Sequence, residues 1–334
     1  MNILITGASG YLGSILLEKL EEYQKESGKD WNLIAADIRE PKANIRNLKY
    51  IQLDVRAPNV EEVMKEYNID TVVHLASIVT PGKQSNREFE YSVDVLGTEN
   101  ILKACVDTGV KRIILTSSGA AYGYHPDNPT WLMEEDAIRG NKEFAYSYHK
   151  RLVEELCEKY RRVHPELEQV IFRIGTILGD STNNQITNLF HKKAILGISG
   201  SSSPFVFVWD RDVAACLLQA IIDKKTGIYN VAGDGSLNLN EIGGILKKRV
   251  IYIPAFVLKI VLFILKRLSL TQYGEEQVNF LRYRPVLCNE KLKKEFGYRP
   301  KLSSKETFLY YLDNREKGNA LNTNKSIKEN KASF

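Results

Sequence analysis

Two short stretches of the chain hold residue types that could move a proton. Tyr146 and Lys150 form its only Tyr-x-x-x-Lys pair, and Ser118 lies upstream in a run of small residues. Because residues i and i+4 share one face of a helix, the Lys150 ammonium can lie beside the Tyr146 phenol and stabilise the tyrosinate. The phenol could then exchange a proton with a substrate hydroxyl or carbonyl oxygen that Ser118 holds. This pattern predicts acid–base chemistry at an alcohol or ketone.

A glycine-rich turn precedes these residues near the start of the chain. Gly7, Gly10 and Gly13 follow the apolar run Asn2 to Thr6 and open a helix-like stretch, Tyr11 to Glu26. Such glycines allow a pyrophosphate to approach the backbone, and the helix N-terminus offers free N–H groups and a positive dipole end. The order of strand, glycine turn and helix predicts a dinucleotide site.

Acidic residues at the ends of later strands indicate which dinucleotide would bind. Asp37 ends the second strand, where its carboxylate can accept hydrogen bonds from both adenosine ribose hydroxyls and would repel a 2′-phosphate. This favours NAD over NADP, although Arg39 could weaken the discrimination. Asp54 could reach the adenine amino group. His74, at the end of the fourth strand, is expected to be a packed strand residue rather than a base.

Apolar β-branched runs alternate with helix-like stretches through the first 180 residues, which predicts a parallel sheet covered on both faces. Beyond residue 179 the pattern is irregular, with an expected helix and short strands near Phe205 and Tyr229. We expect a dinucleotide-binding domain over residues 1–180, a smaller substrate lobe with returning segments over 181–314, and a disordered tail over 315–334. The predicted strands are Asn2–Thr6, Leu33–Asp37, Tyr50–Leu53, Thr71–Leu75, Arg112–Ser117 and Gln169–Ile174.

Together these residues resemble the extended short-chain dehydrogenase/reductase superfamily, also called the NAD-dependent epimerase/dehydratase family. The resemblance covers about residues 1 to 312 and implies a Rossmann-like, doubly wound α/β fold with a smaller C-terminal lobe. Further segments that carry it are Val95–Leu102, Asp212–Ala214, Gly227–Val231 and Lys291–Pro300.

The resemblance implies that Tyr146 is the acid/base, that Lys150 positions the nicotinamide ribose and tunes Tyr146, and that Ser118 orients the substrate. Neighbouring Ser117 could take the role of Ser118. The nicotinamide end should approach the segment Arg173 to Thr176. The residues expected to contact NAD are Gly7, Ser9, Gly10, Tyr11, Leu12, Gly13, Asp37, Asp54, Val55, Leu75, Ala76, Ser77, Tyr146, Lys150 and Ile174.

The chain also departs from the family pattern, which leaves the substrate open. Asp94 stands where many members have Asn, and Ile174 to Leu178 lacks the Asn that often meets a sugar-nucleotide diphosphate. Arg211, Arg282 and Arg284 are candidate anion clamps. We expect hydride transfer between NAD and a secondary alcohol or ketone carbon. The alternatives are a UDP-glucose 4-epimerase-like enzyme with recycled NAD, a hydroxysteroid dehydrogenase-like or dihydroflavonol reductase-like enzyme, and a non-catalytic NAD sensor.

Composition excludes several other classes of protein. The 334 residues include 46 Lys and Arg against 41 Asp and Glu, with no concentration of bases that would indicate nucleic-acid binding. The four cysteines have no metal-ligand spacing, so no metal site is expected, and each should behave as a small hydrophobe in a reducing compartment. With no signal peptide recognised, we expect a cytoplasmic protein, and the resemblance suggests a homodimer.

The segment Pro254 to Leu268 is apolar and predicts a helix with a basic stripe of Lys259, Lys266 and Arg267. One interpretation is a lobe helix packed on the core with its basic edge in water. The other is a helix that borders a pocket for a lipid-like substrate and rests on an anionic membrane. The sequence leaves both open.

Overall fold

The computed structural model describes residues 1–40, 45, 48–79, 86–180, 182, 184–202, 204–268, 270, 274–275 and 277–315. Its strands are β1 (Asn2–Thr6), β2 (Asn32–Asp37), β3 (Leu48–Gln52), β4 (Thr71–His74), β5 (Arg112–Ser118), β6 (Glu168–Ile174), β7 (Thr176–Leu178), β8 (Ile195–Ile198), β9 (Phe207–Trp209), β10 (Gly227–Val231) and β11 (Val250–Ile253). Seven of them form one parallel sheet in the order β3-β2-β1-β4-β5-β6-β10.

This sheet confirms the predicted α/β doubly wound fold. All six predicted strands are present, with ends within two residues of the prediction. The chain passes from β1 outward to β3 and then returns to β4 on the other side of β1. Ligands of such sheets bind where the strand order reverses, at the carboxyl ends of the strands.

Helices cover both faces of the sheet. The helices are α1 (Tyr11–Ser27), α2 (Val60–Glu66), α3 (Arg87–Tyr91), α4 (Gly97–Thr108), α5 (Ala145–Val163), α6 (Gln185–Phe190), α7 (Asp210–Ile222), α8 (Leu239–Leu246), α9 (Ala255–Arg267) and α10 (Gln277–Arg282). Ile3 and Ile5 of β1 point to the core that α1 and α7 cover, whereas Leu4 points to the core of α2, α4 and α5. Alternate strand residues therefore enter opposite cores, as expected for a sheet that is buried on both faces.

The lobe has a separate aromatic core and two two-stranded sheets, β7 with β9 and β8 with β11. Phe190, Phe205, Phe207 and Phe308 pack together there, the last from a helical segment over residues 304–315. Segments that return from residues 181–314 to the main domain include α7, which packs on α1, β10, which pairs with β6, and the turn Leu292–Phe296, which packs in the same core. The boundary at residue 180 stays a prediction.

Helix α9 differs from the other lobe helices because none of its residues is buried. In the described part of the chain, no helix is both long enough and apolar enough to span a bilayer. The predicted disordered tail, apart from Arg315, lies outside the described residues.

Candidate active site

A cleft of about 500 Å³ opens at the carboxyl ends of β1, β4, β5 and β6 and extends to the lobe. Most of the residues singled out from the sequence line it. They are Gly7, Gly10, Tyr11, Leu12, Gly13, Leu75, Ser77, Ser118, Tyr146, Lys150 and Ile174. The cleft therefore joins the glycine turn to the Ser, Tyr and Lys set.

The glycine turn is held so closely that side chains do not fit at two of its positions. Gly7 has φ +69°, and a Cβ atom there would lie 2.6 Å from the Ala76 amide nitrogen. At Gly13 a Cβ atom would lie 2.4 Å from the carbonyl oxygen of Gly7. Gly10 precedes α1 in extended conformation, and no side chain caps the first turn of that helix. The first N–H groups of α1 thus remain available to an anion in the cleft.

Tyr11, in the first turn of α1, connects the glycine turn to a distant part of the chain. Its hydroxyl donates a hydrogen bond to the Asp210 carboxylate at 2.5 Å and lies 2.9 Å from the Thr182 hydroxyl. Burial, followed by the hydrogen bond to Asp210, raises the pKa of Tyr11. This contact fixes the N-terminal end of α1 against the start of α7.

Asp37 lies at the end of β2, and its side chain is almost fully buried. Its carboxylate accepts hydrogen bonds from the backbone N–H groups of Ser9 and Arg39, both at 3.0 Å. The Arg39 guanidinium is 3.8 Å away and largely exposed. Asp37 therefore holds the glycine turn in place through the Ser9 amide, and it is not among the residues that line the cleft.

Four other predicted contacts are not among the residues that line the cleft either. The Ser9 hydroxyl donates a hydrogen bond to the carbonyl oxygen of Arg39. Asp54 is paired with Arg56 at 2.6 Å, and this hydrogen bond holds the pKa of Asp54 below its usual value. Val55 is buried in the core beside Gly97. Ala76 packs by its backbone against the glycine turn. Whether they contact a cofactor stays a prediction.

Tyr146 and Lys150 lie on the first turns of α5, as the i, i+4 spacing predicts. The Lys150 ammonium is 5.8 Å from the centre of the Tyr146 ring and donates a hydrogen bond to the carbonyl oxygen of Thr116 at 3.1 Å. Lys150 is buried, whereas Tyr146 is half-buried and faces the cleft. A fixed cation thus lies beside a phenol that a substrate can reach.

The two adjacent serines differ in their partners. The Ser118 hydroxyl accepts a hydrogen bond from the Ala120 amide at 3.1 Å and caps a short 3-10 turn, Gly119–Tyr122. The Ser117 hydroxyl donates to the buried Glu154 carboxylate of α5 at 2.5 Å. Because Ser117 is engaged with Glu154, Ser118 is better placed to meet a ligand.

Glu154 also forms a buried ion pair with Arg173 that the sequence does not reveal. Two guanidinium nitrogens of Arg173 donate to the carboxylate, the shorter bond being 2.7 Å, and a third lies 2.8 Å from the Tyr122 hydroxyl. Burial alone would lower the pKa of Arg173, but Glu154 raises it above its ordinary value. The Arg173 side chain therefore faces the core, and only Ile174 and the residues after it line the cleft.

Asp94, the departure from the family pattern, lies in a π-helical turn and faces His149. Its carboxylate accepts a hydrogen bond from the Ile78 amide at 2.8 Å and lies 3.6 Å from the His149 ring, with both side chains almost fully buried. Burial raises the pKa of Asp94, but His149 and the Lys150 charge outweigh that effect and lower it overall. One carboxylate oxygen of Asp94 is thus paired with the Ile78 amide, whereas its Oδ2 and both ring nitrogens of His149 are buried without a hydrogen-bond partner among the described residues.

His74 is buried between two threonines. Its Nδ1 lies 2.7 Å from the Thr6 hydroxyl and its Nε2 lies 3.0 Å from the Thr98 hydroxyl. Burial, followed by the charge of Lys150, lowers the pKa of His74 to about 3. A neutral imidazole with both nitrogens engaged fits the expected packed strand residue.

The lobe side of the cleft is aromatic, which the sequence did not predict. Tyr124, Phe144 and Phe280 form a cluster with ring centres 5.1 to 5.6 Å apart. The guanidinium of Arg284 lies 3.8 Å from the ring centre of Phe205, and burial lowers its pKa. These residues come from distant segments, so no local spacing signals that they meet.

Of the three candidate anion clamps, Arg284 lines the cleft and the other two do not. Arg211 is exposed and lies 3.7 Å from Asp180, and Arg282 lies over the ring of Tyr283. Helix α9 contributes no lining residue either. It packs on α10, which contributes Phe280. Among the described side chains, no group of His, Cys, Asp or Glu is placed to hold a metal ion.

The sheet, the glycine turn and the cleft define a doubly wound α/β protein with the geometry of a dinucleotide site. The model of the NAD dependent epimerase/dehydratase family matches residues 3–232, and the chain belongs to that family. The resemblance inferred from the sequence is thereby confirmed.

Relatives and solved structures extend over nearly the whole chain. An uncharacterized protein of Mycobacterium tuberculosis is 23% identical over 320 residues, which are 94% of this chain and 84% of the relative. The UDP-glucose 4-epimerase of Thermus thermophilus, solved in complex with NAD, superposes with a TM-score of 0.69 at 21% identity, covering 95% of this chain and 99% of that one. A dTDP-glucose 4,6-dehydratase of Bacillus anthracis, also solved with NAD, gives 0.69 at 18% identity, covering 95% and 97%.

Proposed function

We propose that this protein is an NAD-dependent enzyme that transfers hydride between nicotinamide and a secondary alcohol or ketone carbon. The observation that carries the proposal is the single cleft that joins the glycine turn to Ser118, Tyr146 and Lys150. Family membership and the two NAD complexes among the similar structures support the choice of cofactor.

The residues present fit such a cofactor. The uncapped N-terminus of α1 and the side-chain-free backbone at Gly7, Gly10 and Gly13 suit a pyrophosphate. Each Asp37 carboxylate oxygen already accepts one backbone N–H, from Ser9 or Arg39, and keeps a second lone pair that a ribose hydroxyl could use. A 2′-phosphate would be repelled there, which favours NAD over NADP. Bound NAD would supply the hydride acceptor or donor.

Tyr146 would exchange the proton of the substrate oxygen, because its phenol faces the cleft and is half-buried, whereas Lys150 is buried. The neighbouring Lys150 charge would stabilise the tyrosinate while substrate is oxidised. Ser118 would hold the same oxygen in place. Thr116 would fix Lys150 through its carbonyl oxygen, and the buried Glu154 would keep Ser117 out of the reaction.

A nucleotide sugar is the substrate class that we place first. The similar structures include enzymes of UDP-glucose and dTDP-glucose, and Arg284 offers a guanidinium to a diphosphate among aromatic side chains. The second candidate is a hydrophobic alcohol or ketone, which the aromatic cluster of Tyr124, Phe144 and Phe280 favours. A homodimer through α4 and α5 stays a prediction.

The proposal is tested by Tyr146→Phe, with Tyr148→Phe on the same helix as the matched control. We expect Tyr146→Phe to lower the turnover of UDP-glucose, UDP-galactose or a ketone panel about 10²-fold to 10⁴-fold, because it removes the transferable proton. NAD affinity should change little in either variant. Retention of more than about a tenth of the rate would refute the acid–base assignment.

The cofactor content of the purified protein separates the two substrate classes. Denaturation should release one equivalent of NAD from an epimerase that recycles its cofactor, whereas a dehydrogenase that exchanges cofactor should release little. Tighter binding of NADP than NAD in a fluorescence titration would contradict the assignment of Asp37. NAD binding without turnover of any candidate substrate would instead identify a sensor.

A further inference from the structure

Helix α9 exposes apolar side chains on the side that faces away from the protein. Leu258, Leu262 and Leu265 recur every three to four residues and are partly covered, so they mark the edge that packs on the lobe. On the opposite side, Phe256 is 66% exposed and Phe263 is 57% exposed. By helical geometry the exposed apolar side spans roughly 160° of the helix surface, and the exposed Arg267 lies within it at the last residue of the helix.

The neighbouring strands extend this apolar region. Ile251 of β11 and Leu196 of β8 are register partners, and both are exposed. We call the whole region the α9 surface. It consists of Leu196, Ile251, Tyr252, Phe256, Val257, Ile260, Val261, Phe263, Ile264 and Leu268. Contiguous apolar regions of this kind on a protein surface mark sites of interaction with a protein or a membrane.

The stretch of chain that forms β11 and α9 carries charge of one sign. Residues 242–274 contain six Lys or Arg and no Asp or Glu. Lys259 and Lys266 are seven residues apart and therefore lie on the same edge of α9, beside the exposed apolar side. Lys247, Lys248 and Arg249 directly precede β11. A partner that complements this surface must therefore offer both an apolar environment and negative charge.

A second copy of the chain fits this requirement poorly. A two-fold interface brings the same patch of both subunits together, so the basic residues around each α9 would face one another. An anionic lipid surface fits both properties, because apolar side chains enter the headgroup region while Lys and Arg contact the acidic headgroups. Helix α9 has 13 residues, too few to span the roughly 20-residue hydrocarbon core.

We propose that the α9 surface docks the protein on an anionic membrane surface. Phe256, Ile260 and Phe263 enter the boundary between headgroups and acyl chains. Lys259 and Lys266 extend along the edge of the helix to the acidic headgroups. Docking is independent of the reaction in the cleft, since α9 contributes no residue to its lining.

Vesicle co-sedimentation of the full chain tests the proposal. Vesicles that contain phosphatidylserine should pellet the protein at low salt, and added salt or pure phosphatidylcholine should weaken binding. Lys259→Glu/Lys266→Glu should lower the affinity by roughly 25-fold or more, because each basic residue at an anionic surface contributes about fivefold. The matched control is Lys29→Glu/Lys224→Glu, which makes the same charge change at exposed sites outside the α9 surface and should bind within a factor of about five of the wild type.

Phe256→Ser/Phe263→Ser tests the apolar half, and it should abolish pelleting while thermal unfolding stays unchanged. Absence of pelleting by the wild type at low salt would overturn the proposal, as would an equal loss of binding in the Lys29/Lys224 control. Light scattering tests the alternative, in which a second copy of the chain covers the α9 surface. A wild-type dimer that Phe256→Ser/Phe263→Ser converts to monomer would identify the α9 surface as a contact between copies and refute membrane docking.

Discussion

Helices α7 and α9 have the same length and a similar apolar character, but the fold uses them in opposite ways. Each has 13 residues. Nine residues of α7 are buried, including Val213, Leu217 and Ile221, because α7 packs against both α1 and the main sheet. None of α9 is buried. Apolar composition alone therefore does not tell whether a helix stabilises the fold or presents a surface to a partner.

Burial, rather than composition, decides how a substitution acts. Truncating a core side chain loses the free energy of its transfer from water and leaves a cavity, so the protein is destabilised. Truncating a side chain on an exposed helix changes mainly what that surface can bind. Substitutions in the core around α7 should therefore lower the free energy of unfolding, and substitutions in α9 should change binding to a partner.

The largest effect is expected at the buried ion pair of the core. Arg173→Met should lower the free energy of unfolding by about 3–5 kcal/mol, because it leaves the Glu154 carboxylate buried without its cation. The matched control is Arg151→Met on α5, whose exposed pair with Glu155 contributes only about 0.3–0.5 kcal/mol. Urea denaturation measures both. Arg173→Met/Glu154→Leu should recover part of the loss, and equal losses in Arg173→Met and Arg151→Met would contradict a structural role of the pair.

The next largest effect on stability is expected from a direct comparison of α7 with α9. Leu217→Ala should destabilise the protein by about 2–5 kcal/mol, because the side chain is fully buried and leaves a cavity. Phe263→Ala in α9 removes a larger side chain but should stay within about 0.5 kcal/mol of the wild type. A large loss for Phe263→Ala in the isolated protein would mean that α9 is covered in solution.

A smaller effect on the free energy of unfolding is expected from pH, through the buried His74. The folded protein keeps His74 neutral down to a pKa of about 3, against an ordinary value of 6.5. Below pH 6.5 the unfolded chain binds a proton there and the folded chain does not, so stability falls as pH falls. The loss should reach about 2 kcal/mol near pH 5.

His74→Asn removes this titrating group and should flatten the decline between about pH 7 and pH 5. The slope of unfolding free energy against pH is the quantity to compare, because the variant can differ from the wild type in absolute stability. Identical slopes for the two proteins would show that groups other than His74 cause the loss of stability at acidic pH. Lys259→Glu/Lys266→Glu should leave the slope unchanged.

The sequence predicts those parts of the fold whose signals are local. Strands such as β1 and β6 contain apolar runs of three residues or more, and the glycine turn and the Tyr-x-x-x-Lys pair depend on short spacings. The three-residue and four-residue strands β7 and β8 carry too few residues to show a period. The sequence predicts a helix at α9, but its apolar residues do not tell which side packs: Leu258 and Leu265 are partly covered, whereas Val257 and Val261 are exposed.

The parts of the site that the sequence does not predict depend on contacts between distant segments. Glu154 and Arg173 belong to a helix and a strand whose pairing fixes their distance, so no motif connects them. Arg284 lies over the ring of Phe205 in the cleft, and the two residues are far apart in the chain, so no local pattern predicts their contact. Sequence patterns name the reacting groups here, but three-dimensional packing determines what surrounds the substrate.

The hydrogen bond between Tyr11 and Asp210 has a consequence for the time at which the site forms during synthesis. It joins residues 199 positions apart, so the ribosome must add about 10–40 s of further chain, at roughly 5–20 residues per second, before the bond can exist. Over the same interval, Leu16 and Leu17 of α1 lack the cover that α7 later provides. The glycine turn is thus among the first segments to be translated, and its anchoring waits for a segment translated much later.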